Sequence, residues 1–237
     1  MSEVPEPRPA STVVLLRDSS QGMETLLLRR NKALMFAGGF WVFPGGKLDE
    51  EDYVAADGDV EEAARIAAAR EAFEESGLRP ALEDMVYLSH WTTPVVEPRR
   101  FATWFYAAPV ESDDEVVIDG GEIHDSMWIP LTQALAEHEA GELGMLPPTF
   151  ITISRLAAYD TVADMVAAER NSPVPQIMPI LGDEDGQLVT MYRGDAGYAS
   201  EQGGTPGARH RCILHGQRWQ YYYEGVDSEI PSLLKID

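Results

Sequence analysis

Arg70-Glu71-Ala72-Phe73-Glu74-Glu75-Ser76-Gly77-Leu78 is the stretch that decides the fold of this 237-residue sequence. Glu71, Glu74 and Glu75 are spaced i, i+3 and i+4, so on a helix they share one face. Three neighbouring carboxylates repel each other unless positive charge lies among them. The candidates for that charge are Arg70, bulk solvent, or one to three Mg²⁺ or Mn²⁺ ions, since hard cations take oxygen ligands. The stretch therefore indicates a helix that carries an oxygen-rich cluster on one face.

The residues before and after this stretch predict where the helix begins and ends. The alanine-rich segment 60–76 favours helix. Asp59 followed by Glu62 is a capping-box-type start, and Gly77 is a typical C-terminal cap. Side chains that point away from the carboxylate face are expected to pack inward, namely Ile66, Ala69 and Phe73.

Strand-like segments lie on both sides of this helix. They are predicted at 12–16, 25–28, 85–91, 101–110, 115–118 and 126–129. Residues 47–58 are acidic and loop-like. Further helices are predicted at 131–140 and from 147 to about 169. Because strands surround a central helix instead of alternating with helices, the pattern predicts a mixed α/β sandwich.

The domain organisation follows from changes in composition along the chain. Residues 1–10 contain three prolines and are expected to form a flexible lead, and residues 11–170 the main domain. Residues 171–237 hold 9 of the 20 glycines. They are interpreted as a C-terminal extension packed on the core or on a second subunit, with strands at 187–193, 211–214 and 219–223.

Composition excludes several classes of partner. The net charge is −22, and residues 49–84 alone hold 13 acidic and 3 basic side chains. Nucleic acid and anionic membrane surfaces attract basic patches, so neither is an expected partner. The single cysteine, Cys212, fits a reducing compartment. With no signal peptide and no long apolar run, a cytoplasmic protein is expected.

Glu62, seven residues, and then the stretch 70–78 resemble the Nudix hydrolase signature. That pattern is Gly, five residues, Glu, seven residues, then Arg-Glu-aliphatic-x-Glu-Glu-x-Gly-aliphatic. Phe43-Pro44-Gly45-Gly46 also matches what commonly precedes it. Gly46 and Glu62 are separated by 15 residues instead of five. The acidic loop 47–58 accounts for that insertion.

The resemblance implies a Nudix α/β/α sandwich with a mixed sheet, here followed by the Gly-rich extension. It also implies hydrolysis of a diphosphate linkage in a nucleoside diphosphate derivative, with Mg²⁺ or Mn²⁺ as cofactor. The implied metal ligands are Glu71, Glu74, Glu75 and the Gly46 carbonyl. Arg70, counted with the catalytic residues, is expected to brace the cluster. The general base is open: Glu75 and Glu71 come first, and Glu115, Glu122 and Asp125 are the other candidates.

Residues outside the signature bear on the substrate. Blocks such as 91–94 and 128–130 resemble a peroxisomal acyl-CoA diphosphatase branch and its bacterial relatives, which favours CoA or acyl-CoA. The C-terminus does not resemble a peroxisomal address. Candidate substrate-binding residues are Arg29, Arg30, Arg100 and Trp104. Each also has a plain structural interpretation, as a surface charge or a core aromatic.

Three hypotheses for function remain open at this point. The first is a CoA or acyl-CoA diphosphatase, and the second is a pyrophosphatase for NADH, ADP-ribose or dinucleoside polyphosphates. The third is a ligand sensor of the same fold without turnover, which the intact Arg70 and glutamates disfavour. The role of Glu62 is either that of a helix-start residue or of a further acidic ligand. A homodimer is an expectation from the family resemblance only.

Overall fold

The computed structural model describes residues 4–31, 38–111, 115–118, 121 and 123–235. The strands are β1 Arg8–Ser19, β2 Gly22–Arg30, β3 Trp41–Val42, β4 Gly45–Lys47, β5 Val86–Thr92, β6 Phe101–Pro109, β7 Ile123–Pro130, β8 Gln176–Ile177, β9 Ile180–Glu184, β10 Gln187–Met191, β11 Arg209–His215 and β12 Arg218–Glu224. The helices are α1 Glu50–Ala55, α2 Val60–Ser76, α3 Leu131–Glu139, α4 Pro147–Leu156 and α5 Val162–Glu169.

The main sheet is mixed and is built around β1. Its order is β3-β2-β1-β6-β5-β8, and β4 and β7 pair with β1 and β2. β1 runs parallel to β6 over its first nine residues, whereas β2 and β4 pair antiparallel with different halves of it. Successive side chains of β1 point to opposite faces of the sheet. Val14 and Leu16 belong to the core on one face, and Val13 and Leu15 belong to the core on the other. Both faces of the sheet are therefore covered, as its apolar strands require.

α2 begins and ends where the sequence predicts. The Asp59 side chain accepts a hydrogen bond from the Glu62 backbone N–H at 2.9 Å, and Gly77 has a left-handed φ of 77°. The prediction that Phe73 packs inward is wrong. Phe73 is 47% exposed and lies under the Arg79 guanidinium.

An alanine face packs α2 on the sheet instead, with Ala64, Ala68 and Ala72 fully buried. Small side chains let the helix backbone approach β1 closely. This close approach brings the C-terminal turns of the helix, with its glutamates, against the β4 segment.

Helices cover the other face of the sheet as well. The core that contains Val14 and Leu16 also holds residues of α3, α4 and α5, among them Leu131, Ile153 and Met165. The result is the predicted α/β/α sandwich with a mixed sheet. Among the described residues, every helix is too short or too polar to cross a membrane.

Some predicted elements differ from the structure. β1 begins at Arg8, so residues 8–10 belong to the sheet and not to a flexible lead. Residues 47–58, predicted as loop, contain α1, which a capping box between Asp49 and Asp52 begins. Residues 115–118 form no strand, because the Val117 N–H bonds the carbonyl of Ser76 at the end of α2. The single helix predicted from 147 to 169 is divided between α4 and α5.

The C-terminal segment adds a second sheet of order β12-β11-β10-β9, while β8 pairs with β5 of the main sheet. Cys212 and Trp219 from this sheet, and Leu233 beyond it, share the core beside α3–α5. His138 of α3 links the two parts: its Nδ1 lies 2.8 Å from the Leu143 carbonyl and its Nε2 accepts from the Trp219 N–H at 2.8 Å. One imidazole tautomer satisfies both bonds, and burial lowers the pKa of His138, so the neutral ring is favoured.

Candidate active site

Two of the predicted carboxylates meet the glycines that precede α1. Glu75 is 8% exposed, and its Oε2 accepts a hydrogen bond from the Gly45 N–H at 2.9 Å. The Glu71 carboxylate lies against Gly46 so closely that a Cβ there would be 2.3 Å from Oε1. A Cβ on Gly45 would be 2.4 Å from the Ser11 carbonyl. Glycine at both positions is therefore what allows the α2 carboxylates, β4 and β1 to approach one another.

Glu74 is placed differently from its two neighbours. Its side chain is 57% exposed and its nearest charged partner is the Arg70 Nη1, at 3.4 Å from Oε2. Among the described residues, no three acidic, histidine or cysteine side chains converge as a ready-made metal site. The metal-ligand roles of Glu71, Glu74, Glu75 and the Gly46 carbonyl accordingly stay predictions.

Arg70 joins three parts of the chain. Its Nη1 donates to Glu71 Oε1 at 2.9 Å, and its Nη2 donates to the Lys47 carbonyl and to Asp52 Oδ2, both at 2.9 Å. These bonds raise the pKa of the guanidinium, Asp52 most of all, so Arg70 is always charged. Burial raises the pKa of Glu71 above its ordinary value, against the opposing effect of Arg70. Arg70 does not line the cleft described below, and its hydrogen bonds agree with the expectation that it braces the cluster, while its place among the catalytic residues stays a prediction.

Asp52 is a buried partner of Arg70 that the sequence did not single out. It is 2% exposed and holds Arg70 through both carboxylate oxygens, at 3.2 Å to Nε and 2.9 Å to Nη2. It is also the sixth residue after Gly46, the spacing at which the compact signature carries its first acidic residue. The insertion therefore lies between Asp52 and Arg70, which are separated by 17 residues where the compact signature has seven. Glu62, on the exposed first turn of α2, pairs with Arg65 at 3.4 Å, in keeping with its helix-start interpretation.

Replacing Asp52 by Asn should loosen this brace. We expect a loss of about 1–3 kcal/mol of unfolding free energy, because a mostly buried guanidinium loses its most buried charged partner and keeps Glu71. Activity should also fall several-fold, since Arg70 orients Glu71. Urea unfolding and steady-state kinetics measure the two effects. Asp49→Asn is the matched control, because Asp49 is 59% exposed and 3.5 Å from Arg70, and a loss there equal to that of Asp52→Asn would contradict the assignment.

The glutamates lie at one edge of a cleft of about 1430 Å³. Its floor is the face of β1 and β6 that carries Thr12 and Phe105, and its far side is formed by β9 and β10. Ligand clefts commonly measure about 300–1,000 Å³, so this one has room for more than a mononucleotide. Glu71, Glu74 and Glu75 all line it.

Charged side chains of both signs line the cleft, and its acidic members are Glu6, Asp49, Glu71, Glu74, Glu75 and Glu97. Five of the 18 Lys and Arg side chains line it, namely Arg8, Arg30, Lys47, Arg99 and Arg100. Within the described ranges Arg8, Lys47 and Arg99 make no ion pair. Guanidinium and ammonium groups in this position suit phosphate oxygens. Sequence reasoning missed Arg8 and Lys47 because their approach to the site depends on how β1 pairs with β4 and β6.

Some of the predicted substrate-binding residues line the cleft and others do not. Arg30 lines the cleft, whereas Arg29 does not and lies 5.6 Å from the Trp41 ring. Arg100 lines the cleft but is buried, with Nε on the Thr93 carbonyl and Nη1 on the Pro5 carbonyl, so it holds these loops together. Arg99 beside it is exposed to the cleft.

Trp104, a predicted substrate-binding residue, does not line the cleft. Side chains alternate along β6, so Phe101, Thr103 and Phe105 face the cleft and Trp104 faces the α2 side. There its ring packs edge-on against His90, with centroids 4.6 Å apart.

Two of the remaining candidates for general base lie outside the cleft. Glu115 and Asp125 are exposed and do not line it. Glu122 lies outside the described residues. The cleft thus favours Glu75 and Glu71 among the candidates, without deciding between them.

Comparison with known proteins identifies the family. The family model described as the NUDIX domain matches residues 6–147 of this chain. The chain belongs to the Nudix family. Nudix enzymes are pyrophosphohydrolases, so this chain is a hydrolase that acts on phosphorus-containing anhydrides.

Curated Nudix relatives resemble the chain at low identity. It is 31% identical over 131 residues to the peroxisomal coenzyme A diphosphatase ndx-8 of Caenorhabditis elegans, covering 54% of this chain and 51% of the relative. It is 25% identical over 120 residues to the acyl-coenzyme A diphosphatase NUDT19 of Xenopus laevis, covering 48% and 32%. The chain thus spans about half and one third of the length of these relatives.

A solved Nudix structure shows the same fold. The Nudix hydrolase from Alicyclobacillus acidocaldarius superposes with a TM-score of 0.64 at 23% identity. The match covers 72% of this chain and all of that one.

The donor set of this Nudix site fits the divalent ion that the family uses. Glu71, Glu75 and the neighbouring Glu74 offer carboxylate oxygens, and the β4 backbone is close enough to Glu71 to leave no room for a side chain at Gly46. Oxygen-only ligands suit Mg²⁺ and Mn²⁺.

Proposed function

We propose that this protein hydrolyses the diphosphate linkage of a nucleoside diphosphate derivative with the help of Mg²⁺ or Mn²⁺, and that its substrate is CoA or an acyl-CoA. The observation that carries the proposal is the position of Glu71 and Glu75, against Gly46 and Gly45, in a large cleft that five cationic side chains also line. Carboxylates alone would repel a polyanionic substrate. The cations and a bound metal together remove that obstacle.

The division of roles follows from position. Glu71 and Glu75, with Glu74 and the Gly46 carbonyl, would hold the metal. A bound divalent ion supplies Lewis acidity and positive charge at the diphosphate. Arg8, Arg30, Lys47 and Arg99 bind phosphate oxygens along the cleft floor, and Asp52 and Arg70 keep Glu71 in place.

In the reaction, a water oxygen forms a bond to one phosphorus and the bridging P–O bond breaks. The proton of the water passes to a carboxylate, Glu75 or Glu71, and the displaced phosphate leaves with the bridging oxygen. From CoA the products are 3′,5′-ADP and 4′-phosphopantetheine. The substrate class is supported by the size of the cleft and by the two CoA-directed relatives.

A substrate screen tests this proposal. Purified protein is incubated with CoA, dodecanoyl-CoA, NADH, ADP-ribose and diadenosine tetraphosphate in Mg²⁺ or Mn²⁺, and products are separated by chromatography. We expect CoA or its thioester to have the highest kcat/KM and EDTA to stop turnover. A higher kcat/KM for any other compound would contradict the substrate, and no turnover of any would favour a sensor.

A further inference from the structure

The C-terminal sheet presents apolar side chains to the same cleft as the glutamates. Pro179, Leu181, Leu188 and Thr190 all line it, and we call this surface the apolar wall. Leu181 lies directly opposite Thr190, and Leu188 is two residues before Thr190, so the three share one face of the sheet. On β11 and β12 the same face carries Cys212 and Trp219 into the core.

The wall is thus the continuation of a core-packing face beyond the core. On β9 and β10 this face lines the cleft, through Leu181 and Leu188. Leu188 is 42% exposed there. Leaving such apolar surface in water costs about 25 cal/mol per Å², so a ligand group that covers it gains binding energy.

The residues that line the cleft differ in chemistry. Arg8, Lys47 and Arg99 lie by the starts of β1 and β6, near the glutamates, and suit phosphate. The wall is aliphatic. A flat nucleobase stacks best on aromatic rings, whereas leucine and proline side chains suit a flexible hydrocarbon chain. Together the cationic side chains and the apolar wall fit an amphipathic ligand that carries both phosphates and an apolar chain.

We propose that Leu181 and Leu188 are specificity-determining residues that bind the acyl chain of an acyl-CoA, so that the extension selects acylated over unacylated substrate. This inference rests on the proposed function. It assigns a role in substrate choice to residues 171–237, outside the segment that the family model matches.

The test compares dodecanoyl-CoA with CoA in four proteins: wild type, Leu188→Gln, Leu188→Met and Met178→Gln. Gln and Met have unbranched side chains of the same length, so the comparison between these two variants isolates the loss of apolarity. Met178 is the matched control, because it is 40% exposed on the same extension but does not line the cleft. We expect wild type to prefer dodecanoyl-CoA by at least about tenfold in kcat/KM, which burial of two or three methylenes supplies. In Leu188→Gln that preference should fall about fivefold or more with kcat/KM for CoA within twofold, since only acyl burial is lost.

Calorimetric titration of the same two compounds into the Glu75→Gln background, with and without Leu188→Gln, measures binding independently of turnover. Two results would contradict the proposed role of the apolar wall and leave the proposed function standing. In the first, CoA is hydrolysed without any preference for the acylated compound; in the second, the preference survives Leu188→Gln. If neither compound is hydrolysed but dodecanoyl-CoA binds more tightly and Leu188→Gln removes that difference, the proposed function fails and the wall stands. Equal losses on both compounds, or no binding of either, would also overturn the wall.

Discussion

Glu75→Gln is expected to lower kcat by about 10³-fold, because the substitution removes a carboxylate that serves as metal ligand or base. The amide oxygen can still accept the Gly45 N–H that Glu75 Oε2 now accepts at 2.9 Å. The position of α2 against β4 should therefore be preserved. The loss is measured as steady-state turnover of CoA in saturating Mg²⁺.

The control for this experiment lies on the same helix. Glu62→Gln removes a carboxylate whose side chain is 46% exposed and paired only with Arg65 among the described residues, so turnover should stay within about twofold of wild type. Both variants should unfold in urea within about 1 kcal/mol of wild type, since neither empties a packed site. Turnover like wild type in Glu75→Gln would sink the assignment of the site.

The largest loss of stability is expected from Asp195→Asn, in the C-terminal extension. Asp195 and Arg211 are both fully buried, and Oδ1 and Oδ2 accept from Nη2 and Nε at 2.6 and 2.7 Å. Oδ2 also accepts from the His210 N–H at 2.8 Å. An amide group turns one of these acceptors into a donor, and the buried guanidinium of Arg211 loses the negative charge of Asp195. Breaking such a pair costs about 3–5 kcal/mol.

Urea unfolding followed by tryptophan fluorescence measures this loss. Because Trp219 and Cys212 share a core with α3–α5, the main domain and the extension should unfold together, at a lower urea concentration than in wild type. Asp183→Asn is the control, since Asp183 is an exposed turn residue on β9. A loss below about 1 kcal/mol in Asp195→Asn would show that the pair does not stabilise the extension.

The pH dependence of this effect has a definite sign. Arg211 and two backbone N–H groups hold the pKa of Asp195 below its ordinary 3.8, against the opposite effect of burial. The carboxylate therefore stabilises the folded state fully above pH 3.8, and this contribution is lost as pH falls through the lowered pKa. The difference between wild type and Asp195→Asn should accordingly shrink below pH 3.8.

Local patterns in the sequence predicted much of the main domain. The start and end of α2 depend on Asp59 and Gly77, which act within one turn, so spacing alone locates them. Outcomes that depend on distant partners were predicted less well. Phe73 is a large apolar residue of the type that usually lies in a core, but the alanines on another face of α2 pack against the sheet. Trp104 resembles a stacking aromatic until strand alternation places it on the α2 side.

By itself the sequence determined the family, the helix that carries Glu71, Glu74 and Glu75, and the class of reaction, because these depend on residue types at short fixed spacings. Only the tertiary structure decided which side chains share the cleft. Arg8, Lys47 and Leu188 are distant along the chain from α2, and strand pairing alone brings them to it. The buried contact of Asp52 with Arg70 likewise required the fold, because α1 must turn back on α2 before the two charges can meet.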